Sequence, residues 1–115
     1  IVTIGSGDQM RTIFDNFITS VGLKFKTLER MKTYFQDKYN ININDYDASY
    51  VVRQQQTPTL IVHDEDDLDI DVSCSVNIHK QHPKATLMVT KGLGHRRILR
   101  DEKVIHKVIS FIQAS

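Results

Sequence analysis

Two stretches of this sequence hold side chains able to do chemistry. One is Gly92-Leu93-Gly94-His95-Arg96-Arg97, where an imidazole follows directly on a Gly-x-Gly turn. The other is HDEDDLDIDV, residues 63 to 72, which carries six carboxylates. A histidine paired with a carboxylate is a general base. The carboxylate accepts one ring N–H, orients the imidazole and stabilises the imidazolium formed when the other nitrogen takes a proton. The plainer alternative is a common turn followed by a surface histidine, with acids that solvate a turn and cap the next helix. Several of the six must do that, since not all can reach His95.

Crowded carboxylates also repel one another unless a cation binds or water screens them. Asp67, Asp69 and Asp71 have the spacing of a calcium loop. Val72, however, stands where that loop needs glycine, and Ile78 where it needs a bidentate Glu. His79 and His82 share a helical turn but have no further ligands placed nearby, so a surface helix is the reading there. No metal and no cofactor is expected.

The elements around these residues decide whether acid and histidine can meet. Ile1-Val2-Thr3-Ile4 is β-branched and continuous, as in a strand buried on both faces, and Gly5-Ser6-Gly7 breaks it. From Asp8, the apolar residues Met10, Ile13, Phe14, Phe17, Ile18 and Val21 recur at helical spacing until Gly22. Thr27 is the expected N-cap of a second helix with Leu28, Met31, Tyr34, Phe35 and Tyr39 on its apolar side. Asp47 or Asn44 caps a short third helix through Val51, Val52 and Arg53. A buried strand is predicted from Pro58 to Val62, a helix from Asp71 to His82, a strand from Ala85 to Thr90, and an amphipathic helix from Asp101 to Ala114. The inner face of that last helix is read as Val104, Ile105, Val108, Ile109 and Ile112. Strands alternating with helices imply an α/β fold with a parallel sheet and right-handed crossovers. Acid and histidine then sit at the carboxyl ends of neighbouring strands, where open parallel sheets form their ligand crevice.

At 115 residues the chain is one domain's length, and 40% hydrophobic with 25% charged residues is an ordinary globular composition. A net charge of +1 gives no argument for a nucleic-acid or membrane-surface partner. The single Cys74 fits a reducing compartment, so a cytoplasmic location is expected. No apolar run approaches a membrane span, and IVTIGSGDQM lacks the basic start and apolar stretch of a signal peptide. Opening mid-strand and without Met, the chain reads as processed or truncated.

Taken together, LIVHDEDDLDIDV, ATLMVTKGLGH and the closing amphipathic helix resemble the C-terminal part of the α/β-hydrolase fold. That family ends with a strand carrying a His-Gly-x-x-Asp-type turn, then a helix, a strand, a Gly-x-Gly-His-type turn and a final helix. The resemblance covers about residues 57 to 114, and residues 1 to 5 more loosely as the preceding strand. It implies a three-stranded parallel sheet fragment with a helical cap-like insertion. Residues 1–7 would be a core strand, 8–54 the insertion, and 55–115 the core segment carrying acid and histidine. It makes Asp67 the triad acid and His95 the triad base, with Asp66 the alternative acid. Asp64 stands where the family often has Gly, and Asp71 where a Pro commonly follows.

The family's order is nucleophile, acid, histidine, with the nucleophile on a Gly-x-Ser-x-Gly elbow. No such pentapeptide is present. Ser6 is flanked two residues away by Ile4 and Asp8, and Cys74 follows the acid within a predicted helix. The expected function is therefore that of a C-terminal fragment, inactive alone, of a hydrolase acting on a small-molecule ester or related acyl substrate through a Ser-His-Asp triad. An Asp nucleophile of the haloalkane or epoxide hydrolase type would use the same histidine. From a different class, the alternative is a non-catalytic binding or interaction module on this fold. Arg96-Arg97 reads as a solvated start to the last segment, or as a partner of the acidic turn or of a substrate carboxylate. The unprotected strand Ile1 to Ile4, with Phe14, Phe17 and Phe35, makes self-association of the fragment the expectation.

Overall fold

A computed structural model of the chain describes residues 1–8, 19–22, 24–40, 42, 45 and 47–114. The first predicted helix, with Phe14 and Phe17, lies mostly outside the described residues. So does Asn44.

Three strands form one parallel sheet in the order of the chain: β1 (Val2–Ile4), β2 (Thr59–Asp64) and β3 (Ala85–Thr90). In register, Val2 pairs with Leu60 and Ile4 with Val62, while Thr59 pairs with Ala85 and Asp64 with Thr90. Every residue of the central β2 is buried, as its run of Leu60, Ile61 and Val62 requires. It extends two residues beyond the predicted Val62. The added His63 and Asp64 are hydrogen-bonded and so tolerate burial.

Alternation along β2 sends Leu60 and Val62 to one face and Ile61 and His63 to the other. The first face packs with Ile98 and Val104, flanked by Val2, Ile4, Met88, Leu93, Val108 and Phe111. Each fully buried aliphatic side chain there stabilises the fold by about 1.5–3 kcal/mol. Ile98 belongs to a 3-10 turn (Ile98–Arg100), and Val104, Val108 and Phe111 to the closing helix Glu102–Ala114. Asp101 caps that helix by accepting the Val104 N–H at 3.1 Å. Of the predicted inner face, Val104 and Val108 do pack toward the sheet. Ile105, Ile109 and Ile112 are 41 to 58% exposed, and the stripe toward the sheet is Val104, Val108 and Phe111. Both stripes satisfy a 3.6-residue period, and only docking chooses between them.

On the opposite face lies the helix Val72–Gln81, capped by the Asp71 carboxylate, which accepts the Ser73 N–H. It buries Ser75 and Ile78. Between β1 and β2 the described helices are α1 (Phe25–Tyr39) and α2 (Ala48–Val51), the second running into a 3-10 turn, Val52–Gln54. After β2 come α3 (Val72–Gln81), α4 (Gly94–Arg97) and the closing α5 (Glu102–Ala114). Helix α1 starts earlier than predicted. Extended Lys24 is its cap residue, and Thr27 lies inside the first turn. Its C-terminus is Asn40 at φ 55°, a left-handed cap that Asn tolerates. Tyr34 and Tyr39, predicted to be inward, are about half exposed; they meet edge to face at 6.2 Å, with Lys38 Nζ over both rings. At α2 the Ser49 N–H goes to Asp8 Oδ1 at 2.7 Å, so the buried Asp8 just after β1 holds the start of this helix. Among the described residues no helix is long and apolar enough to cross a membrane.

Candidate active site

A parallel sheet puts the carboxyl ends of its strands on one side, and here three loops leave that side together. The loop after β1 begins with Gly5, that after β2 carries Asp67, and that after β3 carries His95.

The loop after β2 is a tight turn. Asp67 N–H donates to Asp64 O at 3.2 Å, and Glu65 N–H reaches across to Thr90 O at 2.8 Å. Asp67 Oδ1 accepts the N–H groups of Asp69 and Ile70, both at 2.9 Å. That leaves Oδ2 toward the next loop, where His95 Nδ1 lies 2.8 Å away. The Asp67 side chain is 1% exposed and that of His95 36%. Burial by itself raises the Asp67 pKa, but hydrogen bonds from Ile70, His95 and Asp69 outweigh it and hold the carboxyl below its ordinary range. Ionised Asp67 only accepts, so Nδ1 of His95 carries a proton, and in the neutral ring Nε2 is left with the lone pair. The ring borders a cleft of about 420 Å³ between residues 66–69 and 92–97.

Of the two acids the sequence left open, Asp67 is the one bonded to His95. Asp66 is exposed and its Oδ2 accepts the Gly92 N–H at 2.7 Å, bracing the turn from which the histidine projects. Arg97 braces the same turn, donating to Gly92 O at 2.9 Å and to Leu93 O at 3.3 Å. Arg97 is exposed, as the solvated reading of the pair expects, and the carbonyls of the Gly-x-Gly turn lie within reach of its guanidinium.

Two residues had no site role in the sequence. Asp64 is fully buried and accepts four hydrogen bonds: Thr90 Oγ1 at 2.6 Å and Leu93 N–H at 3.1 Å on Oδ1, Gly94 N–H at 2.8 Å and Asp66 N–H at 3.0 Å on Oδ2. It ties the acid loop to the histidine loop. The available signal was an acid closing a strand otherwise apolar enough to be buried, which needs donors around it. Gly5 sits beneath the pair at φ +64°. A Cβ there would come 3.1 Å from His95 Nδ1 and Cε1 and 3.4 Å from Asp67 Oδ2.

The other candidates separate. His82 is buried under β2, with Nε2 2.9 Å from Thr59 Oγ1 and Nδ1 accepting the Lys84 N–H at 3.0 Å, and burial lowers its pKa. It is a strut rather than part of a surface ligand pair. Cys74 lies in α3, and burial raises its thiol pKa, which opposes a nucleophilic role. Asp67, Asp69 and His95 bring one donor atom each within 4.8 Å of one another, close enough for a cation. Both Asp67 oxygens are already engaged by hydrogen bonds in the manner of a carboxylate–imidazole pair.

No model of a known protein family and no curated protein matches the chain. Solved structures do. The chain is similar to MGS-MChE2, an α/β hydrolase enzyme from the metagenome of sediments of the Mar Chica lagoon, Morocco. That match has TM-score 0.61 and 16% identity, over 98% of this chain and 49% of that one. It is also similar to the meta-cleavage product hydrolase CumD of Pseudomonas fluorescens IP01, with TM-score 0.52 and 16% identity, over 78% of this chain and 33% of that one. The chain thus spans about half the length of the first and a third of the second, and over that span its fold is that of an α/β hydrolase.

Proposed function

We propose that this chain supplies the acid and the histidine of a hydrolase triad, and that the whole protein cleaves an ester or related acyl substrate. The observation that carries the reading is the 2.8 Å contact between His95 Nδ1 and the buried Asp67 Oδ2, on loops leaving adjacent parallel strands. Similarity to α/β hydrolases roughly twice as long or longer supports it. In this scheme a serine upstream of Ile1 attacks the acyl carbon. His95 Nε2 takes the hydroxyl proton and later gives it to the leaving alkoxide, and Asp67 stabilises the imidazolium between the two steps. The helical segment between β1 and β2 shapes the acyl pocket as a cap. The 115-residue chain alone, without a Gly-x-Ser-x-Gly elbow, does not turn over substrate.

The test is kinetic and uses the full-length protein. His95→Ala should lower kcat by several orders of magnitude with the fold intact, and Asp67→Asn by about 10⁴. Asp66→Asn, which only loosens a turn, should cost far less. Equal losses at Asp66 and Asp67 overturn the choice of acid. A parent unaffected by His95→Ala would instead be a binding module on this fold.

A further inference from the structure

Asp67 has a second histidine behind it. His63, the fifth residue of β2, is fully buried, and its Nε2 lies 3.3 Å from the same Oδ2 that faces His95. The nearer partner of Nε2 is Ile70 O at 2.8 Å, and the other ring nitrogen, Nδ1, lies 2.6 Å from Ser75 Oγ on α3. Ser75 is fully buried as well. Ile70 thus binds both partners, its carbonyl accepting from His63 and its N–H donating to Asp67 Oδ1 at 2.9 Å. Ring, backbone and carboxylate close a small circuit within the acid loop.

The donors and acceptors fix the tautomer. A lone pair on Nε2 would face two acceptors, a carbonyl and a carboxylate, so Nε2 carries the proton. In the neutral ring Nδ1 then accepts, and the Ser75 hydroxyl donates to it. The charged groups near the ring are the carboxylates of Asp67, beside Nε2, and of Asp71, at the start of α3.

Resting on the triad reading, we propose that His63 is a positioning residue for Asp67, working as a neutral imidazole in the Nε2–H tautomer. It commits its N–H to Ile70 O, whose own residue donates to Asp67, and lies 3.3 Å from the carboxylate without giving it a counter-charge. The negative charge of Asp67 therefore remains for the imidazolium of His95. The circuit through Ile70 meanwhile holds Oδ2 aimed at the histidine loop. One oxygen lies beside two imidazoles of opposite tautomer, His63 as Nε2–H and His95 as Nδ1–H.

The test reads ring nitrogens directly. In ¹⁵N-histidine-labelled protein at neutral pH, long-range ¹H–¹⁵N spectra distinguish the two tautomers and the doubly protonated ring. The expected result is Nε2–H for His63 and Nδ1–H for His95, the latter proton strongly downfield. His63→Leu should move that His95 proton upfield while the β2 and β3 amides keep their positions. His63→Gln, which replaces the lost N–H donor, should largely restore it. In the full-length enzyme His63→Leu should lower kcat about 10- to 100-fold, the usual loss when a partner behind a site ligand is removed, with KM little changed and Gln recovering most of it. His63 found as Nδ1–H or doubly protonated overturns the proposal, and this needs no variant to fold. So does a His95 proton indifferent to His63→Leu. These spectra require no turnover, so failure here is distinct from failure of the hydrolase reading, which His95→Ala kinetics decides.

Discussion

Asp64→Asn alters a single side-chain group at the junction of the acid and histidine loops. In the wild type, Oδ1 accepts from Thr90 Oγ1 and Leu93 N–H, and Oδ2 accepts from Asp66 N–H and Gly94 N–H. An amide must place its NH₂ where one oxygen was. At Oδ2 it would oppose two backbone N–H groups. At Oδ1 it opposes only one, because the Thr90 hydroxyl can turn and accept, so the amide settles there and Leu93 N–H loses its partner. A hydrogen bond to a charged acceptor contributes about 1.5–3 kcal/mol, and a neutral one about 0.5–1.5. Losing one and weakening the rest predicts a destabilisation of about 2–4 kcal/mol, allowing for the lower cost of burying a neutral group. The assay is equilibrium urea unfolding followed by circular dichroism, at one protein concentration for both chains. The pH dependence adds a second arm. Burial raises the Asp64 pKa, but Thr90, Gly94, Leu93 and Asp66 together hold it below the ordinary value. A depressed folded-state pKa means that the stabilisation is complete above the ordinary carboxylate range, about pH 4, and is lost as pH falls through the folded-state value. Wild type and variant should therefore differ fully at neutral pH and converge in acid. A difference below about 0.5 kcal/mol at pH 7, the range of ordinary surface substitutions, would refute the reasoning; so would one that does not shrink in acid.

Gly5→Ala places a Cβ 3.1 Å from the His95 ring on a backbone at φ +64°. It should cost about 1–3 kcal/mol from strain alone and displace His95 from Asp67, read as an upfield move of the Nδ1 proton; an unchanged melting temperature and an unchanged ring signal would show slack in that contact. The 115-residue chain is expected to associate at micromolar concentration. β1 pairs with β2 on one side only among the described residues, it carries no charge or proline, and Ile105 and Ile109 add an exposed apolar stripe. Sedimentation velocity checks it, and a clean monomer would overturn the expectation.

Local rules placed most of the described elements and the two loops that meet. Ala85 to Thr90 is a strand with the predicted ends, Asp71 caps the helix it precedes, and His95 follows a Gly-x-Gly turn because a polar loop after an apolar run must turn there. Parallel pairing of the strands before Asp67 and His95 then brings acid and imidazole to one side of the sheet. What the chain could not specify locally depends on contacts across strands. Asp66 and Asp67 are equivalent as neighbours in a polar turn; the turn's hydrogen bond to Asp64 O directs one carboxylate inward to His95 and the other to Gly92 N–H. Apart from the Asp66 N–H two residues on, Asp64 and His63 gain their partners only when residues 7 to 30 positions away close around them. On α5 the predicted face is wider than the one used, and the position of the sheet packs Val104, Val108 and Phe111 against the core and leaves Ile105, Ile109 and Ile112 exposed. Periodicity and capping are properties of a few consecutive residues, whereas the partner of a buried polar group is set by which loops the sheet places side by side.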